Sequence, residues 1–258
     1  MKVIKIDLPT ELPSMQIHIF ADEHIGDSHS DIKRIMNRIE YVKNTPDAYC
    51  ILNGDIIDNA TKTSIGDSYA QTFNPMEQLT KAVEIFEPIR DKILCITHGN
   101  HENRTYKSEG INLSCLMAKQ LGLESRYTPT SATLFIRFGN GGAHIHNRKV
   151  CYTLYVLHGS GGGRKEGAKA NRLADMASII DTDIYIHSHT HLPMVMKQAF
   201  HRIDTSNSTV ALIDKMFVNT ASNLKYGGYG EASALKPSSK DTPVIYLNGT
   251  KKYFEAKL

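Results

Sequence analysis

Two apolar periodicities run along the chain. Short runs rich in β-branched and aromatic residues predict strands at 16–21 (QIHIFA), 48–53 (AYCILN), 92–97 (KILCIT), 133–138 (TLFIRF), 152–157 (YTLYVL) and 183–188 (DIYIHS). Further runs of this kind lie at 195–200, 211–219 and 243–248. Helical spacing instead links Ile32, Ile35, Met36, Ile39 and Val42, and again Met76, Leu79, Val83 and Phe86. Asn74-Pro75, ahead of the second set, reads as a cap followed by a first-turn proline. A third helix is expected from about 111 to 121, stopped by Gly122, and a fourth after GSGGG through Ala168, Leu173, Met176 and Ile180. The first half alternates strand and helix. The second half is richer in strands and contains hairpins, as at FGNGGAHIHNRKV (138–150). Mixed sheets sandwiched by helices fit this order better than a simple doubly wound sheet, in a single domain spanning 1–258.

Composition narrows the class without choosing a function. A chain of 258 residues, 41% hydrophobic and 22% charged, suits a soluble globular protein with a substantial core. Its 30 basic and 27 acidic residues leave a net charge of +3, too balanced to argue for nucleic acid by bulk electrostatics, although a local basic patch stays open. The opening MKVIKIDLPTELPSM has no apolar core of a signal peptide, and runs such as VCYTLYVL are too short to span a bilayer. Cys50, Cys95, Cys115 and Cys151 form no C-x-x-C pair, and three of them lie in strand-like stretches. They read as buried thiols of a cytoplasmic protein, not as a disulfide framework or a zinc site.

The polar residues at the strand ends change the picture. ADEHIGD, NGDIID, HGNHEN, LHGSG and HSHTH each place Asp, Asn or His just past an apolar run. In open α/β sheets the carboxyl ends of strands are where ligands bind. In an extended segment residues i and i+2 share a side, so Asp22 and His24 are expected to converge, and His189 with His191. Carboxylate, imidazole and amide oxygen suit Mn²⁺, Fe or Zn²⁺, and the set exceeds what one ion takes, which favours two ions sharing a carboxylate. A lone strand-end His is usually a hydrogen-bonded structural residue, and a lone Gly-Asp usually a turn. Five such clusters in equivalent places outweigh that reading.

In this order, DEH, GDIID, GNHE, LHG and SHTH resemble the signature of the calcineurin-like metallophosphoesterase superfamily, across about 16 to 222. The resemblance implies a four-layer αββα sandwich of two mixed sheets flanked by helices. It implies two divalent ions, manganese first, with iron or zinc as alternatives. One would be bound by Asp22, His24, Asp55 and His191, the other by Asp55, Asn100, His158 and His189, with Asp55 bridging. His101 would be the catalytic imidazole, held by Asp58, and Glu102 would support the site without ligating. The reaction implied is hydrolysis of a phosphate ester: a metal-activated hydroxide attacks phosphorus and His101 protonates the leaving oxygen. Two departures stand out. Ser188 replaces a usual glycine, a poor exchange if that turn needs a positive φ. NTAS (219–222) replaces a usual N-P-G-S turn, which mainly touches a structural feature. His187 precedes the motif and is read as structural.

Other motifs carry less. GSGGGRKEG lacks the ending of a Walker loop and misses G-x-G-x-x-G by one position, and Ser160 is in no G-x-S-x-G elbow. Arg104, Lys165, Lys169 and Arg172, together with Lys107, follow the clusters closely enough to meet a phosphate-rich substrate, with a solvated helix face as the bland alternative. His144 and His146, in the hairpin loop, receive no role. The substrate expected is a phosphodiester in a nucleic acid or nucleotide, with a phosphomonoester as the alternative. A non-catalytic metal-binding scaffold is the rival from another class. Such relatives tend to lose ligands or the catalytic His, and both sets are complete here.

Overall fold

The computed structural model describes residues 1–62, 64, 68–141 and 148–258. Its strands are β1 (Lys2–Asp7), β2 (Ser14–Phe20), β3 (Ala48–Asn53), β4 (Ile93–Thr97), β5 (Tyr127–Thr128), β6 (Ser131–Phe138), β7 (Val150–Leu157), β8 (Ile184–His187), β9 (Met194–Asp204), β10 (Thr209–Asn219), β11 (Val244–Asn248) and β12 (Phe254–Lys257). Its helices are α1 (Ile32–Asn44), α2 (Pro75–Phe86), α3 (Glu102–Glu109), α4 (Leu113–Gln120), α5 (Glu166–Asp175) and the short α6 (Gly228–Ala232).

Two six-stranded sheets form, in the orders β1-β6-β7-β8-β10-β9 and β12-β11-β2-β3-β4-β5. Both are mixed. In the first, β6–β7 and β9–β10 are antiparallel and the other pairs parallel. In the second, β2, β3, β4 and β5 are parallel while β11 runs antiparallel to β2 and β12. Met15, Ile17, Ile19 and Ile51 face Leu134, Ile136, Tyr152, Leu154 and Ile186 in the core between the sheets. Phe20, Cys50, Leu52 and Ile96, on the second sheet's other face, pack under α1, α2 and α4. Tyr155, Tyr185 and Phe217 pack under α5 through Leu173 and Met176. The layers are therefore helix, sheet, sheet, helix, as the resemblance implied. β3 and β4 are buried on both faces, which explains why they read as unbroken apolar runs.

The cap expected at Asn74 is present: its side chain accepts from Met76 and Glu77 N–H, with Pro75 in the first turn. The third helix needs correcting. It starts at Leu113, capped by Asn112, and a separate helix, α3, precedes it. The fourth ends at Asp175 and tightens into a 3₁₀ turn over Met176–Ser178. β6 and β7 form the expected hairpin, but its loop residues His144 and His146 lie outside the described residues. Cys50 and Cys95 are buried, while Cys115 and Cys151 are half-buried, and all four are free. Among the described residues no helix is long and apolar enough to cross a membrane.

Candidate metal centre

β2, β3, β4, β7 and β8 all end at one edge of the sandwich, and each is followed by a polar cluster. Asp22, His24 and His191 bring one ligand atom each within 4.8 Å of one another. Asp55, His158 and His189 do the same beside them. Asn100 joins the second group, its Oδ1 lying 3.2 Å from His158 Nε2. Asp55 stands between the groups. Its Oδ2 is 3.2 Å from His158 Nε2, and its charge reaches Asp22.

The convergence has a different cause from the one expected. Asp22 and His24 do not lie on an extended segment, and neither do His189 and His191. All four lie beyond the strand ends with left-handed backbones, at φ 53°, 49°, 65° and 55°, and Asp55 joins them at 51°. A non-glycine residue held there costs about 1–3 kcal/mol. Of the eight non-glycine residues with positive φ among the described residues, these five and Asn59 belong to this edge. Strain concentrated there is the mark of a functional site whose surroundings enforce its shape. Ser188 is not among them, so serine suits its turn. Its hydroxyl accepts a 2.7 Å hydrogen bond from Asn53.

The loops meet closely. A Cβ on Gly54, which has φ +75°, would come within 2.8 Å of Gly99 backbone atoms, and one on Gly99 would lie 2.2 Å from Asp55 Oδ1. Glu102 then ties these loops together. One carboxylate oxygen accepts from Asp55 N at 3.1 Å and Gly99 N at 3.0 Å, the other from Ile56 N at 2.7 Å and Ile57 N at 3.2 Å. With both oxygens engaged, Glu102 supports the site instead of ligating. Thr220 and Ser222 of NTAS reach the Asp22 carboxylate and carbonyl at 3.5 and 3.3 Å. His187 is buried with its Nδ1 2.8 Å from Asn219 Oδ1, a structural partner.

The electrostatics fit cations. Asp22, Asp55 and Asp58 are almost fully buried. Burial pushes the Asp22 carboxyl up, but His191, which also hydrogen-bonds it, and His158 together outweigh burial and bring it down to about 2. Burial likewise opposes ionisation of Asp55, yet His158 and His101 hold it well below the carboxylate range. His158 answers in kind: burial disfavours its charge, but Asp55 and Asp22 raise it to about 10. The test of whether a metal belongs here is His24. Both its ring nitrogens are buried without a hydrogen-bond partner, although Nδ1 lies 3.4 Å from Asp58 Oδ1. An orphaned buried imidazole nitrogen costs about 1–3 kcal/mol, which a metal ion bound there would remove. The donor set of carboxylates and imidazoles is also that of such ions. The residues present therefore fit the group.

The family model of calcineurin-like phosphoesterases matches residues 15–193. The chain belongs to this family. No curated protein sequence matches it. Among solved structures, this calcineurin-like chain is similar to a conserved uncharacterized protein, described as a predicted phosphoesterase, from Streptococcus pneumoniae TIGR4. The two are 13% identical with a TM-score of 0.39, and 94% of this chain and 87% of that one are covered. Vps29 of Entamoeba histolytica complexed with zinc gives 12% identity, TM-score 0.39 and coverage of 94% and 97%. The nuclease MPE of Pseudomonas putida gives 12%, 0.36, 93% and 87%. Likenesses this distant assign no substrate or partner to the chain.

Around the calcineurin-like centre, His101 lies against Asp58. Its Nδ1 lies 2.7 Å from the Asp58 carbonyl and 3.1 Å from Asp58 Oδ1. Arg104 lies against it, with one guanidinium nitrogen 3.0 Å from the Asp58 carbonyl and another 2.9 Å from His101 Nε2. Lys169 donates at 2.7 Å to the carbonyl of Thr190, between His189 and His191. Lys165 is the residue preceding α5, not part of its face, and is exposed, as are Arg172 and Lys107. Sequence reasoning missed Asn53, Asn59 and Gln71. Asn53 accepts from Thr97 Oγ1 and donates to Ser188, while its carbonyl lies 2.6 Å from His158 Nδ1. The only signal for Asn53 was a polar residue closing an otherwise apolar strand, and Gln71 gave none.

Proposed function

We propose that this protein is a metal-dependent hydrolase of phosphate esters, acting on a phosphodiester in a nucleic acid or nucleotide. The observation that carries the reading is the pair of three-residue ligand groups converging beside His101. Asp22, His24, Asp55 and His191 would hold one divalent ion, and Asp55, Asn100, His158 and His189 a second, with manganese the first expectation. Such ions supply a water of lowered pKa and neutralise charge on phosphoryl oxygens.

The chain's own residues supply the rest. His101 Nδ1 faces two oxygens of Asp58, so Nε2 is the nitrogen that would carry a proton to a leaving oxygen, once Arg104, which donates to it here, has turned to the substrate. Its side chain is 17% exposed, enough to meet a substrate while most of the ring stays fixed. Arg104, beside Nε2, would then engage a phosphoryl oxygen as a cation. Lys165 and Arg172 lie further out, where the neighbouring phosphates of a polymer would pass. Lys169 is engaged by Thr190, so its first duty is to steady the loop that carries His189 and His191.

A substrate panel with Mn²⁺ tests this: an aryl phosphomonoester, an aryl phosphodiester, a cyclic nucleotide, a phosphopeptide, and single- and double-stranded DNA. The expected result is diester cleavage with a steep salt dependence. Lys165→Ala with Arg172→Ala should flatten the salt slope by about 0.7–0.9 for each phosphate that is no longer neutralised. Efficient turnover of monoesters alone, untouched by those changes, overturns the diester assignment in favour of a phosphatase.

A further inference from the structure

Asp58 has two oxygens with separate partners. Oδ1 lies 3.1 Å from His101 Nδ1 and 3.4 Å from His24 Nδ1, so one atom is shared between the proton donor and a ligand imidazole. Oδ2 accepts a 2.6 Å hydrogen bond from Gln71 Nε2. The carboxamide oxygen of Gln71 accepts in turn from Gln78 Nε2 at 2.7 Å. Gln78, on α2, is completely buried. Its oxygen accepts from Asn59 N at 2.8 Å, and its nitrogen also donates to Phe73 O at 2.8 Å. The side chain of Asn59 donates to the His101 carbonyl at 2.7 Å and accepts from Thr105 Oγ1 at 2.8 Å. Two branches therefore leave Gln78 and both end at His101, one on its ring through Gln71 and Asp58, the other on its backbone through Asn59.

The direction of this relay is fixed by backbone groups that cannot exchange roles. An N–H can only donate, so the Gln78 oxygen must face Asn59. A carbonyl can only accept, so the Gln78 nitrogen must face Phe73. That nitrogen then fixes the Gln71 oxygen, which leaves the Gln71 NH₂ aimed at Asp58. An aspartate carboxylate otherwise turns broadly about its last torsion. Held at Oδ2, it keeps Oδ1 between the two imidazoles, where it joins the Asp58 carbonyl in facing His101 Nδ1.

We propose that Gln71 is a positioning residue. Through the Asp58 carboxylate it fixes the ring plane of His101, and so the direction from which Nε2 meets the leaving group. The kinetic part rests on the phosphoesterase reading above; the ring-geometry part does not. Gln71 is half-buried, so Gln71→Met keeps the length, removes the hydrogen bonds and leaves the apolar core untouched.

Two readouts test it. In metal-free protein carrying ¹⁵N-histidine, in mildly alkaline buffer, the wild-type His101 ring should give the pattern of a single Nδ1–H tautomer. Gln71→Met should keep that tautomer, which the Asp58 carbonyl and Arg104 also hold, but should shift and broaden the Nδ1–H signal as the Asp58 carboxylate turns free, with the signals identified by their loss in His101→Gln. In Mn²⁺-loaded protein, Gln71→Met should lower kcat by about 10- to 100-fold on an alkyl phosphodiester, the scale of misplacing an acid and less than that of removing it. KM, metal content and turnover of an aryl diester, whose leaving group needs little protonation, should change less than about threefold. An unchanged His101 ring pattern overturns the proposal, and so does an equal kcat loss on both leaving groups. If wild-type protein hydrolyses no phosphate ester, the phosphoesterase reading fails and the ring pattern alone decides the positioning role.

Discussion

Glu102→Gln is the most telling perturbation of the scaffold beneath the metal centre. The Glu102 side chain is buried, and its two oxygens accept from four backbone N–H groups, on Asp55, Ile56, Ile57 and Gly99. A glutamine keeps one acceptor oxygen and turns an NH₂ toward two of those donors. At least two charge-assisted bonds are then lost, each worth about 1.5–3 kcal/mol, and the facing N–H groups are left unsatisfied. Because the four bonds act as one network, the losses do not add fully. A net destabilisation of about 3–5 kcal/mol is expected for the metal-free protein. That is a large share of the roughly 5–15 kcal/mol that holds a typical domain together. Urea unfolding of metal-free protein measures it, and Mn²⁺ titration of the folded fraction should show weaker binding, because the loops that carry Asp55 and Asn100 come apart. A change below about 0.5 kcal/mol, the scale of an ordinary surface substitution, with unaltered Mn²⁺ affinity would show that Glu102 does not hold the two loops together.

The remaining predictions concern ligands and protons. Asp55→Ala should lose metal as well as rate, whereas His101→Ala should keep its metal and lose mainly kcat, most severely on poor leaving groups; metal analysis beside steady-state kinetics separates them, and the reverse pattern refutes the assignment. His158 is raised from 6.5 to about 10, against its burial, by Asp55 and Asp22, so in metal-free protein it is protonated near neutral pH. A ligand imidazole must be neutral, so Mn²⁺ binding should release about one proton from His158, measurable by calorimetry in buffers of different ionisation heat; zero release contradicts the geometry. His189 is held down at about 4 by burial and by the His158 charge, so it should contribute no proton. The protonated His158 stabilises the metal-free fold fully below 6.5, and that stabilisation fades as pH rises through about 10. The lowered Asp22 works oppositely, stabilising above 3.8 and failing as pH falls through about 2.

Much of this was legible along the chain because each site residue follows an apolar run that had to become a buried strand. The inner strands β3, β4 and β7 fell where their burial demanded. Other parts left no such trace. β1 buries only Ile4 and Ile6, with Lys2, Val3, Lys5 and Asp7 turned out, so no apolar run marks it. In α3 the buried residue is Glu102, and no apolar stripe marks the helix. The left-handed backbones of Asp22, His24, Asp55, His189 and His191 are imposed by packing between loops distant in sequence, which local propensity does not encode. The relay through Gln71 and Gln78 is tertiary in the same way: two amides seven residues apart acquire meaning only where Asp58 meets them.

Hydrolysis by this chain stands or falls on its metal centre. Protein purified without chelator should be analysed for metal and assayed on an aryl phosphodiester before chelation, after it, and after Mn²⁺ is returned. Two ions per chain are expected, with activity lost on chelation and restored with Mn²⁺. Full hydrolytic activity in metal-free protein would contradict the assignment of the centre as the seat of catalysis.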